Sequence, residues 1–411
     1  MLTVSNMDKV LRSVYLDVVT NAINDTTSPF YKKIEKSNTN VYGKEINIPY
    51  SIGINSGIAC VDESDDIPVG QNPSFITFRA PMQNIYGSFE ITDKLIRVSE
   101  HDVGSVVNLL NFQIEELLRA AKFNLRRMLL QSGDGELCKI AATATGNTYE
   151  ITVDSTRNIV EGMVIDIIKT DNTTVVVSGV KVSGVDRTSN KLKLDQYVGS
   201  TTAITGYRLT VHGSNNKEIY GIPYIFNDDV RSLYGNTKSS YSFLLPGKHT
   251  TNGLGTNDIQ TVLDSIEADR GVTPDIILSG YDMRRQYLEH MRNRSLNVDY
   301  MDLDGGFKSI SYNGIPIYTD PFMEEGSMYF LNTGDFVLGQ LADWTWLEGV
   351  ERGILNPVQS KAAYKATLVK YCNLICKNPT AQAKLTYVAP VAPATPDSGD
   401  SGNSGDSGTG N

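Results

Sequence analysis

No stretch of the chain reaches the roughly 18 consecutive apolar residues of a membrane span, so no such span is expected. Cysteine is scarce. Cys60, Cys138, Cys372 and Cys376 are scattered and lack the paired spacing of a disulfide framework. They read as free thiols of a protein made in a reducing cytosol. The four histidines (His101, His212, His249 and His290) lie far apart, and no His-Glu-x-x-His pattern occurs. Cys372 and Cys376 would share one face of a strand, but no second Cys/His pair accompanies them, which leaves a zinc site without enough ligands. Basic charge is also short. A net charge of -10 argues against a general binder of nucleic acid or anionic membrane. It does not exclude a container that encloses nucleic acid without gripping it. Met1 to Thr20 carries Asp8, Lys9, Arg12 and Asp17 among its apolar positions, the pattern of an amphipathic helix and not of a secretory signal.

Catalytic motifs are missing as well. Pro246-Gly247-Lys248-His249 has Ser242 where a phosphate loop needs its first glycine, and His where it needs Ser or Thr. Ser279-Gly280 follows a strand pattern but lacks the further glycines of a dinucleotide fingerprint. No Gly-x-Ser-x-Gly turn occurs. The acidic run Asp62-Glu63-Ser64-Asp65-Asp66 has a cation-binding reading, but a solvated loop suits it better. Trp344 and Trp346, two apart, read as core packing ahead of a ligand shelf. No catalytic, cofactor-binding or metal-ligating residue is assigned.

What is present is pattern. With 411 residues, 40% hydrophobic and 20% charged, the chain has the balance of an ordinary globular protein of two or three domains. The clearest element is Asp102 to Gln131. Val103, Val106, Val107, Leu110, Ile114, Leu117, Leu118, Ala121, Leu125, Met128 and Leu129 recur at three- and four-residue steps, which is one helix face. Ser99 with Asp102 suggests an N-terminal cap, and Gly133 a left-handed stop. At about 1.5 Å per residue the rod spans roughly 45 Å, so its stripe needs a long cover. A coiled coil is the rival reading, but the stripe is wider than a strict seam and no further heptads follow. The expected cover is the chain's own C-terminal strands, with Glu115, Arg119 and Arg126 at an exposed or intersubunit face.

Around the helix, Val4 to Asn24 patterns as a further helix, and residues 25–42 as a polar arm outside the core. From Gly43 to Thr92 the period becomes two. Ile46, Ile48, Tyr50, Ile52 and Ile54 alternate on the way out, and Ile85, Gly87, Phe89 and Ile91 on the return, with an acidic, Pro/Gly-rich segment between. This reads as a long β-ribbon. A bare two-stranded ribbon is marginal in water and leaves two open edges, so it should lie against something. Residues 146–212 read as an inserted β-barrel or sandwich of short strands. Beyond Gly213 the pattern is α+β, with helices at Asn257–Arg270 and Tyr281–Arg294 and a strand at Asp275–Ser279. Asn313-Gly314 makes a type I′ hairpin, with Pro316 expected on a sheet edge. Ala389 to Asn411, rich in Pro, Ala and then Asp, Ser and Gly, has too little apolar surface to fold.

The run Gly305-Gly306-Phe307, then Asn313-Gly314-Ile315-Pro316, Asp320, and Gly326-Ser327-Met328-Tyr329-Phe330-Leu331-Asn332 resembles a pattern of the tailed-bacteriophage major capsid proteins, the HK97-like fold. Gly133-Asp134-Gly135 and Lys217-Glu218-Ile219-Tyr220-Gly221-Ile222 are similar to weaker signals of that family. The order of elements over residues 1–388 is similar too. The resemblance implies an α+β chain divided into an N-terminal helix and arm (1–42), an extended β-ribbon or E-loop (43–92) and a peripheral domain with the spine helix (93–145). An inserted β domain (146–212), a mainly axial domain (213–330), return strands (331–388) and a disordered tail (389–411) follow. It implies a shell subunit that partners itself in pentamers and hexamers, with a separate scaffold, a portal and decoration proteins. The shell would enclose double-stranded DNA without sequence-specific binding and without a membrane. It would be assembled in the bacterial host cytoplasm and located in the virion capsid. The ribbon would reach a neighbouring subunit, which nominates Asp62, Glu63, Asp65, Asp66 and Arg79 as assembly-interface residues. An encapsulin-like compartment is the alternative within the fold. A surface binding module on the inserted domain is the alternative outside it, and an enzyme comes last.

Overall fold

The computed structural model describes residues 28–53, 57–58, 60–62, 64, 66, 70, 74–94, 103–143, 149–198, 204–294, 300–303, 307–349 and 353–389. The expected helix at Val4–Asn24, the Ser99/Asp102 cap and the tail from residue 390 lie outside them.

The arm is part of the core. Helix α1 (Pro29–Lys33) opens on a proline, whose fixed φ suits a first turn. It buries Phe30 and Tyr31, and Phe30 sets its ring edge-on to Phe336 at 5.1 Å. Strand β1 (Glu35–Ser37) then runs parallel to the strand that begins at Phe336. Three large apolar residues, Phe30, Tyr31 and Ile34, outweigh the polar neighbours that made this segment read as an arm.

After β2 (Val41–Tyr42) comes the ribbon, β3 (Glu45–Ile52) against β4 (Ser74–Pro81), in register from Glu45↔Pro81 to Ile52↔Ser74. Its return strand is therefore Ser74–Pro81 and not the Ile85–Ile91 series. That series forms β5 (Gln83–Thr92), which pairs instead with a C-terminal strand over Ala363–Cys372. Both segments alternate, and alternation fixes which face is buried, not which strand lies alongside.

The spine is helix α2 (Val103–Leu129). It packs on β5, where Gly87 makes room: a Cβ there would stand 2.8 Å from Leu117 Cδ1. Ile114, Leu125, Met128 and Leu129 are buried, while Leu117, Leu118 and Ala121 are half-buried. The cover is thus β5, with the C-terminal strand beside it in the same sheet.

The inserted module is a closed six-stranded barrel. It comprises β6 (Glu136–Thr143), β7 (Glu150–Val153), β8 (Val164–Ile168), β9 (Val175–Asp186), β10 (Lys191–Leu194) and β11 (Arg208–Val211), in the order β10-β7-β6-β11-β8-β9. It starts ten residues earlier than expected because β6 lies between β7 and β11 and no closure is possible without it. Strand β9 is continuous, with a register irregularity against β8. Gly179, at φ +74°, takes up the irregularity between them.

Beyond the barrel the chain forms α3 (Pro223–Phe226), the small hairpin β12 (Ser232–Leu233) and β13 (Asn236–Thr237), and β14 (Gly247–Thr251). Helix α4 (Thr256–Arg270), β15 (Ile276–Ser279), helix α5 (Tyr281–Asn293), β16 (Tyr300–Leu303), β17 (Phe307–Tyr312), β18 (Ile315–Thr319) and β19 (Ser327–Leu331) follow. The chain closes with β20 (Phe336–Trp346), β21 (Asn356–Pro357), β22 (Ala363–Cys376) and β23 (Ala383–Tyr387). Seven strands form one sheet, β14-β23-β19-β15-β18-β17-β16. Its alternating side chains serve two cores. Ile277, Met328, Phe330 and Leu385 pack with α4 and α5, whereas Ile276, Leu278, Tyr329 and Leu331 join the main core with α2.

Asn313 and Gly314 take φ values of +50° and +77°, as a type I′ turn requires. Pro316 is not on an edge strand: β18 lies between β15 and β17. The proline is accommodated because the parallel ladder to β15 begins only at Ile317.

Candidate assembly surfaces

The base of the ribbon is clamped by aromatic packing. Tyr50 lies 5.6 Å from Phe78 and is stacked on Phe243 at 5.6 Å, and Phe78 meets Tyr234 edge-on at 5.8 Å. The Arg79 N–H donates to the Tyr234 carbonyl, and Asn236 Nδ2 donates to the Thr77 carbonyl, so the β12–β13 hairpin closes one edge of the ribbon. Beyond the clamp, among the described residues, Ile58 and Val61 are exposed, Ile58 to 90%, as is Phe75 at the outer end of β4. Asp62 and Asp66 are exposed beside them, while Glu63 and Asp65 lie outside the described residues. Arg79 is exposed on β4, five residues from the strand's outer end at Ser74, or about 17 Å at about 3.3 Å per residue. The structure thus places Arg79 at the base, apart from the acidic tip.

A second set of residues fixes the ribbon-bearing body to the rest. Arg127, fully buried near the end of α2, donates through both terminal nitrogens to Glu218, at 2.5 and 2.9 Å. Four residues beyond Arg127, Gln131 turns its amide to the Glu136 carbonyl at the first barrel strand. The segment after Glu218 caps the helix. Gly221 N–H donates to the Gln131 carbonyl and Ile222 N–H to the Leu129 carbonyl. A Cβ on Gly221 would stand 2.3 to 2.6 Å from three carbonyl oxygens, so only glycine fits this close approach. Arg126, expected at an exposed or intersubunit face, instead reaches Asp320 of the same chain at 2.7 Å. Burial pushes the Asp320 carboxyl up, against the opposing pull of Arg126 and the Phe322 N–H. Next to that pair Phe123 packs edge-on to Phe322 at 5.0 Å. On the barrel, Arg157 donates to the Met323 carbonyl and, at 2.9 Å, to Glu325. Residues 320–325 therefore join spine, barrel and seven-stranded sheet. Glu218 and Asp320 both stand in the motif-like runs of the sequence, yet their partners are invisible there because 91 and 194 residues separate them from Arg127 and Arg126.

The titratable clusters of the body serve architecture. On the barrel Asp166 is buried and accepts from Gly179 N, Gly213 N and Ser178 Oγ, with His212 Nδ1 2.8 Å away. Burial pushes this carboxyl up, but those hydrogen bonds together outweigh it and hold it below the usual range. Ser178, His212 and Asp166 do not form a nucleophile relay: Ser178 Oγ stands 3.4 Å from the same ring nitrogen that Asp166 holds. Cys372 and Cys376 are buried on β22, and burial pushes the Cys372 thiol up to about 11, away from reactivity. Among the described residues no group of three His, Cys, Asp or Glu side chains is arranged to hold a metal ion. Among them, too, no helix is long and apolar enough to cross a membrane. Trp344 and Trp346 are both buried, and Trp346 packs edge-on to Phe89 at 6.1 Å.

No protein-family model and no curated sequence matches the chain. Solved structures do. The capsid asymmetric unit of cyanophage A-1(L) superposes with a TM-score of 0.51, covering 88% of this chain and 92% of that one at 12% identity. The chain has the HK97-like capsid fold. An encapsulin complex from Synechococcus elongatus (TM-score 0.47, 10% identity, 88% of each chain) and the capsid of a native GTA particle (0.46, 11%, 89% and 91%) are also similar. In this HK97-like chain α2 is the spine and β3–β4 the extended loop, and the barrel is an addition closed on itself between Gly135 and Gly213.

Proposed function

We propose that this chain is the major capsid protein of a tailed bacteriophage, which self-assembles into an icosahedral shell around double-stranded DNA. The observation that carries the reading is the ribbon. A capsid-fold body clamps its base with aromatic side chains, while its far end offers Ile58, Val61 and Phe75 to solvent. Exposed apolar groups at the tip of a projecting element have their natural cover on another molecule. The fold supplies the geometry, and a second copy supplies the cover. Asp62, Glu63, Asp65 and Asp66 would rim that contact, and Arg79 would brace the loop where it leaves the body. The acidic chain suits a container that does not neutralise its genome by dense charge pairing. A separate scaffold, a portal and decoration proteins complete the proposed assembly, made in the host cytoplasm and ending in the virion.

Electron microscopy of purified protein, expressed alone and with its scaffold, tests the reading. Closed shells are expected, and DNA-filled particles from infected cells distinguish a phage head from a cargo compartment. Soluble monomers under every condition would overturn it.

A further inference from the structure

Helices α4 and α5 cover the same face of the seven-stranded sheet, yet their outer surfaces carry opposite charge. Asp264, Glu267 and Asp269 are exposed in the last two turns of α4. Carboxylates there oppose the helix dipole, whose C-terminal end favours cations. The one cation beside them, Arg270, is turned to Thr380 Oγ1 at 2.8 Å. On α5, Arg285 and Arg292 are exposed, with Arg294 just beyond the helix and a single intervening acid, Glu289. None of these six acidic and basic groups makes an ion pair among the described residues. Nor can the two surfaces meet within one chain. The flank of α5 that touches the start of α4 carries His290, whose Cε1 would lie 3.1 Å from a Cβ on Gly255. At about 100° per residue, Arg285 and Arg292 sit roughly 140–160° around the helix from it.

We infer that the acidic end of α4 on one copy binds the arginine face of α5 on the next. Two different, complementary patches on one chain make a head-to-tail contact, and such a contact closes into a ring when its rotation permits. The proposal rests on the shell reading for what the ring builds, but the contact stands or falls by itself. It predicts a salt-sensitive association, since both patches are solvent-exposed.

The test uses the full chain with charge reversals. Asp264→Arg with Glu267→Arg, and separately Arg285→Glu with Arg292→Glu, should each lower the yield of closed particles about tenfold in about 0.15 M salt, with subunit melting little changed. Combining all four should restore the yield to within about threefold of wild type. Normal assembly of both double variants overturns the contact, as does a quadruple variant no better than either. Particles that form normally but retain less DNA after the arginine changes alone would also overturn it, in favour of a phosphate-binding face. A second readout needs no shell. In a Cys60→Ser background, which removes the exposed thiol, Glu267→Cys protein mixed with Arg292→Cys protein should give a disulfide-linked dimer on mild oxidation. A dimer without particles keeps the contact and sinks the shell reading. No dimer removes the contact whatever the particles do.

Discussion

Glu218 and Gly221 show how much of this fold hangs on single side chains. Arg127 is buried with Glu218 as its counter-charge. Replacing Glu218 with Gln leaves a cation in the core with a neutral partner, a loss of about 3–5 kcal/mol. Gly221→Ala forces a methyl group into the carbonyls that end α2, and should cost on the order of 3 kcal/mol. Chemical denaturation of purified subunits checks both, and a change under about 0.5 kcal/mol in either would contradict the assignment. Asp166 carries a pH prediction. Its carboxyl titrates lower in the folded barrel than in the unfolded chain. It therefore contributes stability above the usual aspartate range, near pH 4, and that contribution is lost as pH falls through the folded value. Asp166→Asn, whose amide puts a donor where Gly213 N–H already donates, should melt earlier at pH 7. Its deficit against wild type should shrink as the pH drops below the usual aspartate range, near pH 4. A deficit constant over that range would show that charge is not what Asp166 contributes. His212 and Glu218 are both visible in the sequence, but their partners are not, because 46 residues separate His212 from Asp166 and 91 separate Glu218 from Arg127.

The elements were largely legible, and the misreadings share a cause. Periodicity reports which side of a segment is buried. It found α2 to within two residues, both helices over the sheet, and the Asn313-Gly314 hairpin. It could not report partners. As the ribbon's return strand, β4 and β5 alternate equally well, and only long-range register separates them. Pro316 reads as an edge residue for the same reason, since its neighbours in the sheet, β15 and β17, are invisible in its own segment. Barrel closure is likewise a property of six strands jointly, so the pattern of β6 alone does not separate it from the domain before it. The barrel can therefore be excised intact only together with β6. Asn216 N–H donates to the Asp134 carbonyl, so the chain enters and leaves the barrel side by side. Replacing residues 136–211 with a short Gly linker should leave a soluble body with cooperative unfolding. Removing only 147–211 strands β6, exposing Leu137, Cys138 and Ile140, and should give insoluble protein. Equal solubility of the two deletions would show that β6 belongs to the body.

At the scale of the whole molecule, the body is tied together internally, while the described apolar residues of the ribbon tip stand exposed. Spine, barrel and sheet meet at residues 320–325 through Arg126, Phe123 and Arg157, so these parts hold their places without help from another chain. The ribbon base is held by Tyr50, Phe78, Phe243 and Tyr234, so the tip is aimed even though nothing in the described residues covers it. A rigid mount with a bare apolar end separates folding from assembly, and a deletion can test that separation. Ile52 and Ser74 are opposite each other in the ladder, so an Asn-Gly turn can join them directly in place of residues 53–73. The shortened chain keeps every aromatic contact of the base, and its subunit should melt within a few degrees of wild type, as about 1 kcal/mol or less would shift it. It should nevertheless fail to form shells in conditions where the full chain does. Ile58→Ser with Val61→Ser should weaken assembly in the same direction but less completely, since Phe75 remains. Normal shells from the deletion would mean that the ribbon's neighbours do not need its tip, and the intersubunit contact would then have to lie on the helices over the sheet alone.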